Sequence, residues 1–64
     1  MSLFAGRYTY KKYDISFWYT PRTLKAMIWK PNTLILVKKF FVRGSDYRRL
    51  RGRVVKYIDS LVNG

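Results

Sequence analysis

Residues 20–39, TPRTLKAMIWKPNTLILVKK, contain one short phrase twice: PRTL at 21–24 recurs as PNTL at 31–34, ten positions later. Proline favours the second position of type I and type II turns, and asparagine suits the third. Both phrases therefore predict four-residue turns. The segments that flank them are expected to be strands of one antiparallel sheet.

Three strands are expected around these turns, over about 7–19, 23–29 and 33–43. The last of them, LILVKKFFVR from residue 34 on, is rich in β-branched and aromatic residues, as strands are. The first, RYTYKKYDISFWY, is long for a single strand, and we expect it to bend or break near Asp14.

The middle segment, residues 22–29, fits two structures. Thr20 as N-cap and Pro21 at the first helical position would start a helix, but one that short is marginal. Strand pairing is favoured, because two-residue loops at both turns align apolar residues across all three strands. The expected pairs are Tyr19–Leu24, Phe17–Ala26, Ile15–Ile28, Ile28–Ile35 and Ala26–Val37.

The last third of the chain predicts a helix over about 46–62, with Ser45 as N-cap and Asp46 in the first turn. At 100° per residue, its apolar side chains fill an arc of about 160°. They are Tyr47, Leu50, Val54, Val55, Tyr57, Ile58, Leu61 and Val62. The sequence therefore predicts one small α+β domain, residues 1–64, in which a three-stranded meander carries a C-terminal helix on one face.

A single helix covers only one face of such a sheet. The covered face is expected to hold Ile15, Phe17, Tyr19, Leu24, Ala26, Ile28, Ile35, Val37 and Phe41. The same register leaves a mixed aromatic and basic set uncovered: Lys12, Asp14, Ser16, Trp18, Lys25, Met27, Trp29, Leu34, Leu36, Lys38 and Phe40. So large an uncovered apolar surface indicates a binding partner.

The charge indicates what kind of partner this is. Fourteen lysines and arginines stand against three aspartates, with no glutamate or histidine, and the net charge is +11. The basic residues are spread along the chain, and 19% of the residues are aromatic, which indicates a folded domain rather than a basic tail. A folded domain that carries this much like charge usually binds an anionic partner.

Several function classes are not expected. Without His, Cys or Glu, the chain offers no general base near neutral pH and no metal-ligand cluster, so neither an enzyme nor a cofactor is expected. The longest apolar run, Leu34–Val37, is far short of a membrane span of about 20 residues. No secretory signal is evident, and we expect an intracellular location in cytoplasm, nucleoid or organelle matrix. Membrane binding is not expected, because the apolar arc of the helix is needed for the core.

Nucleic-acid binding is the leading interpretation, since stacked bases need aromatic rings and phosphates need cations. The candidate residues on the sheet are Lys12, Trp18, Lys25, Trp29, Lys38 and Phe40. A second set, the basic helix stripe, comprises Arg48, Arg49, Arg53 and Lys56 and suits phosphate. The two sets are expected on opposite sides of the domain, so one short ligand would not contact both.

The alternative is a structural subunit of a large ribonucleoprotein or capsid, or a homo-oligomer. Its protein-protein interface would use the apolar part of the uncovered face: Trp18, Met27, Trp29, Leu34, Leu36 and Phe40.

The stretch GRYTYK at 6–11, followed by the meander and the helix, resembles the arm-site DNA-binding domains of tyrosine integrases. Those domains place a three-stranded sheet in the major groove with a helix behind it, and the likeness covers six residues. It implies that a β-β-β-α architecture suits DNA binding.

Overall fold

The structure, a computed structural model, describes residues 3–63. The elements are β1 (Leu3–Tyr10), β2 (Tyr13–Thr20), β3 (Thr23–Trp29), β4 (Leu36–Arg43) and α1 (Tyr47–Asn63). The strands form one antiparallel sheet in the order β1-β2-β3-β4. The α+β class with a C-terminal helix is confirmed. The strand count of three is wrong, because residues 7–19 belong to two strands.

The break in that segment is a tight turn at Lys11 and Lys12, whose φ angles are 48° and 74°. Positive φ at both central residues is what a two-residue type I′ hairpin loop requires, and Asn-Gly is its usual sequence. Two lysines carry no such local signal, which is why the turn was not predicted. Asp14, the expected break point, lies inside β2.

The second turn has the predicted form. Arg22 follows Pro21 with a φ of 68°, as the third position of a type II turn requires. All three predicted pairs of β2 with β3 are present, including Phe17 opposite Ala26 and Ile15 opposite Ile28. Residues 23–29 are therefore strand and not helix.

The third turn forms as predicted, but the register after it differs. The Thr33 backbone N–H donates to the Lys30 carbonyl across 3.2 Å, which closes the four-residue turn. Ile28 then lies opposite Lys38 rather than Ile35, three positions later, because the loop is longer and Val37 is an extra residue in the ladder. An odd shift moves every later side chain of β4 to the other face of the sheet.

The core lies between α1 and the sheet. It consists of Ile15, Phe17, Leu24, Ala26, Ile28, Val42, Leu50, Val54 and Ile58. The three helical members recur every four residues and form one buried stripe. Three residues expected on the covered face are instead substantially exposed: Tyr19 at 46%, Ile35 at 58% and Phe41 at 52%. Phe41 is exposed because of the shifted register. Ile35 lies before β4 rather than in the sheet, and Tyr19 lies near the end of β2.

The helix begins one residue later than predicted, at Tyr47. Its N-cap is Asp46 rather than Ser45, because the Asp46 carboxylate accepts a 3.1 Å hydrogen bond from the Arg49 backbone N–H. Gly52 lies within the helix. No helix among residues 3–63 combines the length and apolar character that crossing a bilayer requires.

Candidate nucleic-acid interface

The sheet face turned away from α1, here called the open face, presents three rows of side chains that each cross all four strands. The first row is Phe4, Trp18, Lys25 and Phe41. The second is Arg7, Ser16, Met27 and Lys39, and the third is Thr9, Asp14, Trp29 and Leu36. Aromatic rings and cations therefore alternate across one uncovered surface.

Two tryptophans on the open face are held in place by one hydroxyl. The indole N–H groups of Trp18 and Trp29 both donate to Ser16 Oγ, over 3.1 and 3.3 Å. The Phe4 ring packs against Trp18 at 5.2 Å between centroids, with the planes at 71°. Because both indole donors are satisfied internally, what these rings offer a ligand is their apolar surface.

The positive charge on this face is largely uncompensated. Within residues 3–63 the ion pairs are Arg7–Asp14, at 4.0 Å, and Lys11–Asp59, at 2.7 Å. Asp46 caps the helix, so each of the three acidic side chains lies closest to a group other than Lys25 or Lys39. Lys25 and Lys39 consequently lie beside aromatic rings with no carboxylate partner among the described residues.

The structure places the predicted sheet residues on two sides. Trp18, Lys25 and Trp29 lie on the open face as predicted. Lys12 lies in the first turn instead. Phe40 is on the helix side, where its ring meets that of Tyr57 at 5.5 Å.

Lys38 lies on the helix side with Phe40, its Nζ 5.8 Å from the Phe40 ring. Assigning Lys38 and Phe40 to the open face was wrong, because the prediction did not include the register shift at Val37. For the alternative protein-protein interface, Trp18, Met27, Trp29 and Leu36 share the open face, and Leu34 adjoins it from the third turn.

Five residues of the open face were missed. Phe41 was assigned to the covered face and Lys39 to neither face, because the register shift in β4 was not predicted. Phe4, Arg7 and Thr9 were missed because β1 was not recognised as a separate strand. The signal that would have found it is symmetry about the two lysines: apolar or aromatic residues at alternate positions match across the turn, in the pairs Tyr10–Tyr13 and Tyr8–Ile15.

The basic helix stripe comes closer to the open face than expected. All four of its side chains are exposed on α1. The Arg53 guanidinium contacts the backbone carbonyl of Phe41 at 3.5 Å, and the Phe41 ring lies on the open face. Because β4 is an edge strand of the sheet, this contact brings Arg53 of the stripe to the edge of the open face.

Two concavities adjoin these cations. A pocket of about 320 Å³ opens on the open face, lined by Phe4, Arg7, Asp14, Trp18, Trp29 and Leu34 among others. Another, of about 490 Å³, lies where the second turn meets the end of β4. Arg22 and Arg43 line it, and the Gly44 N–H donates to the Arg22 carbonyl across 2.9 Å.

Comparison of this chain with protein-family models, with curated proteins and with solved structures finds no significant match.

Proposed function

We propose that this protein binds single-stranded nucleic acid without catalysing a reaction. The observation that carries the proposal is the first row of the open face, in which Lys25 stands between Trp18 and Phe41, with Phe4 beyond. Unpaired bases stack on aromatic rings, and the phosphates between them need cations at this kind of spacing.

The aromatic contribution comes from rings that remain accessible. Phe4 is 55% exposed and Phe41 is 52% exposed, while the two tryptophans of the open face are half-buried and held through Ser16. A fixed ring loses little conformational entropy when a base stacks on it. Each stacked base is expected to contribute about 1–3 kcal/mol to binding.

The electrostatic contribution comes from Lys25 and Lys39, continued by the basic helix stripe beyond the β4 edge. A single-stranded nucleic acid that crosses the sheet and passes this edge would place phosphates near the two lysines and near the basic helix stripe. Each phosphate neutralised on a single strand steepens the log–log salt dependence by about 0.7. Binding is therefore expected to weaken strongly with salt.

The test is fluorescence anisotropy with labelled oligonucleotides of about 15 nucleotides, from about 50 to 400 mM salt. Single-stranded DNA and RNA and a matched duplex are compared. We expect sub-micromolar affinity for single strands at the lowest salt, with a slope of about −3 or steeper. The double variant Lys25→Ala/Lys39→Ala should weaken binding and flatten the slope by about 1.4.

The matched control is Lys12→Ala/Lys38→Ala, which removes the same charge from side chains off the open face. If both double variants weaken binding equally, the attraction is generic and the open face is not the site. Preference for the duplex over every single strand would contradict the stacking mechanism.

A second candidate, protein-protein contact through the same face, is favoured by the 93% exposure of Leu34, which lines one pocket with Phe4. Exposed apolar side chains in one patch are typical of interfaces. Light scattering distinguishes the two, since a monomer has a mass of 7.7 kDa. An oligomer that Phe4→Ser/Leu34→Ser dissociates would support this candidate, and a monomer would exclude self-association.

A further inference from the structure

We propose that the pocket between Trp18 and Trp29 receives one guanine base of the bound strand, recognised by Asp14 and Arg7. The inference rests on the proposed function and deepens it, because it gives a sequence preference to one position of an otherwise sequence-tolerant surface. It is carried by the pocket lining, by the position of the single carboxylate on the open face, and by the chemistry of base edges.

The pocket has the size and the walls that a base needs. Its volume of about 320 Å³ lies within the range of about 300–1,000 Å³ typical of small-molecule sites. Phe4 and Trp18 form one aromatic cluster of the lining, with Trp29 across Ser16 from them. Leu34 adds an apolar side chain from the third turn.

Asp14 is the unexpected member of this lining. A carboxylate repels phosphates, and this is the one acidic side chain on the open face of a chain with net charge +11. Its side chain is 37% exposed, and its Oδ1 lies 4.0 Å from Arg7 Nη2, too far for a close hydrogen bond. Both groups therefore keep hydrogen-bonding capacity for a ligand in the pocket.

Guanine matches this pair of groups. Its Watson–Crick edge presents two adjacent donors, N1–H and the N2 amino group, to which the two oxygens of Asp14 can accept hydrogen bonds. The neighbouring O6 is an acceptor, and the Arg7 guanidinium donates. Adenine and cytosine each place a ring-nitrogen lone pair beside their amino group, and uracil and thymine flank one N–H with two carbonyls. In each of those bases an acceptor would face the carboxylate.

The experiment measures anisotropy with four oligonucleotides of about 15 nucleotides at about 100 mM salt. All positions are thymidine except the central one, which is T, G, A or C. We expect the G-containing strand to bind about tenfold more tightly than the other three, within the range of a bidentate base contact. Asp14→Asn should reduce that preference to less than about twofold, because its amide offers only one acceptor. The control Asp46→Asn makes the same charge change outside the pocket and keeps a good N-cap, so it should retain the preference.

The outcomes separate the two proposals. Binding of all four strands within about twofold, or a guanine preference that survives Asp14→Asn, would overturn the guanine site and leave the proposed function standing. Failure of every strand to bind, even at about 50 mM salt, would overturn both. Guanine preference that is lost in Asp14→Asn and kept in Asp46→Asn would establish the site.

Discussion

Lys11 Nζ and Asp59 Oδ1 lie 2.7 Å apart and join the first hairpin turn to the helix. The Tyr10 hydroxyl donates to the same carboxylate oxygen across 2.8 Å. The hydrogen bond from Lys11, followed by that from Tyr10, lowers the pKa of Asp59 below its ordinary value. The same carboxylate raises the pKa of Lys11 and that of Tyr10. One acidic side chain thus holds a turn whose sequence does not favour it.

These pKa shifts predict a stability that falls at both ends of the pH scale. Asp59 contributes stability above the ordinary carboxyl pKa of about 4, and that contribution is lost as the pH falls below it. Lys11 and Tyr10 contribute stability below their ordinary pKa values of about 10, and it is lost as the pH rises further. Urea unfolding at about pH 2, 7 and 11 measures the free energy of unfolding at each end.

Asp59→Asn is the variant that tests the assignment, since it removes the charge and keeps the shape. It should lower the free energy of unfolding at neutral pH and reduce its pH dependence at both extremes. Asp14→Asn, which leaves the turn untouched, serves as the comparison. An Asp59→Asn protein with an unchanged pH profile would show that the ion pair is not responsible.

Lys12→Gly should stabilise the protein by about 0.5–1 kcal/mol. Lys12 has a φ of 74°, where an L-residue with a side chain is penalised by about 1–2 kcal/mol, partly offset by the greater unfolded-state entropy of glycine. Lys39→Gly, in the regular part of β4, should instead be destabilising. Equal loss of stability in both variants would mean that the turn is not strained.

The two glycines near the helix should respond oppositely to alanine. Gly52 lies within α1, and an added Cβ would meet nothing within 4 Å, so Gly52→Ala should raise the free energy of unfolding by about 0.5–1 kcal/mol. An added Cβ at Gly44 would also meet nothing within 4 Å, but its φ is 69°. Gly44→Ala should therefore lower the free energy of unfolding by about 1 kcal/mol. Thermal unfolding of both variants measures the difference, and the same sign for both would contradict the backbone account.

Phe40 and Phe41 are neighbours in sequence on opposite faces of the sheet. Phe40 packs on Tyr57 and the core, so Phe40→Ala should cost about 2–3 kcal/mol of stability, less than a fully buried ring. Phe41→Ala should cost less than about 1 kcal/mol and weaken single-strand binding instead. Denaturation and anisotropy on both proteins separate the effects. Loss of stability in Phe41→Ala and loss of binding in Phe40→Ala would instead support the register predicted from the sequence.

The second hairpin and the helix were predictable because their signals are local. Pro21 sets the turn, and the alternation of apolar residues from Ile15 to Ile28 sets the pairing of β2 with β3. The apolar period of α1 identified its buried stripe. The sequence therefore predicts Trp18, Lys25 and Trp29 on the correct face.

The first hairpin and the last strand were not predictable in this way. The turn at Lys11 and Lys12 is held by Asp59, which is distant in the chain, and Val37 enters β4 as an extra residue with no turn signal of its own. The turn at Lys11 and Lys12 brings Phe4 and Arg7 onto the open face. The extra residue Val37 brings Lys39 and Phe41 onto it. Because the candidate site spans four strands, each error in predicted strand pairing places some of its residues on the wrong face.

By itself, the sequence determined the charge, the α+β class, the two proline turns and the apolar stripe of the helix. These depend on residues within a few positions of one another, where periodicity and turn chemistry act directly. Only the tertiary structure decided which side chains share the open face and that Arg53 of the basic helix stripe reaches its β4 edge. Those placements depend on an ion pair and a one-residue register change, because the side chains of a strand alternate between faces and a single extra residue reverses all that follow.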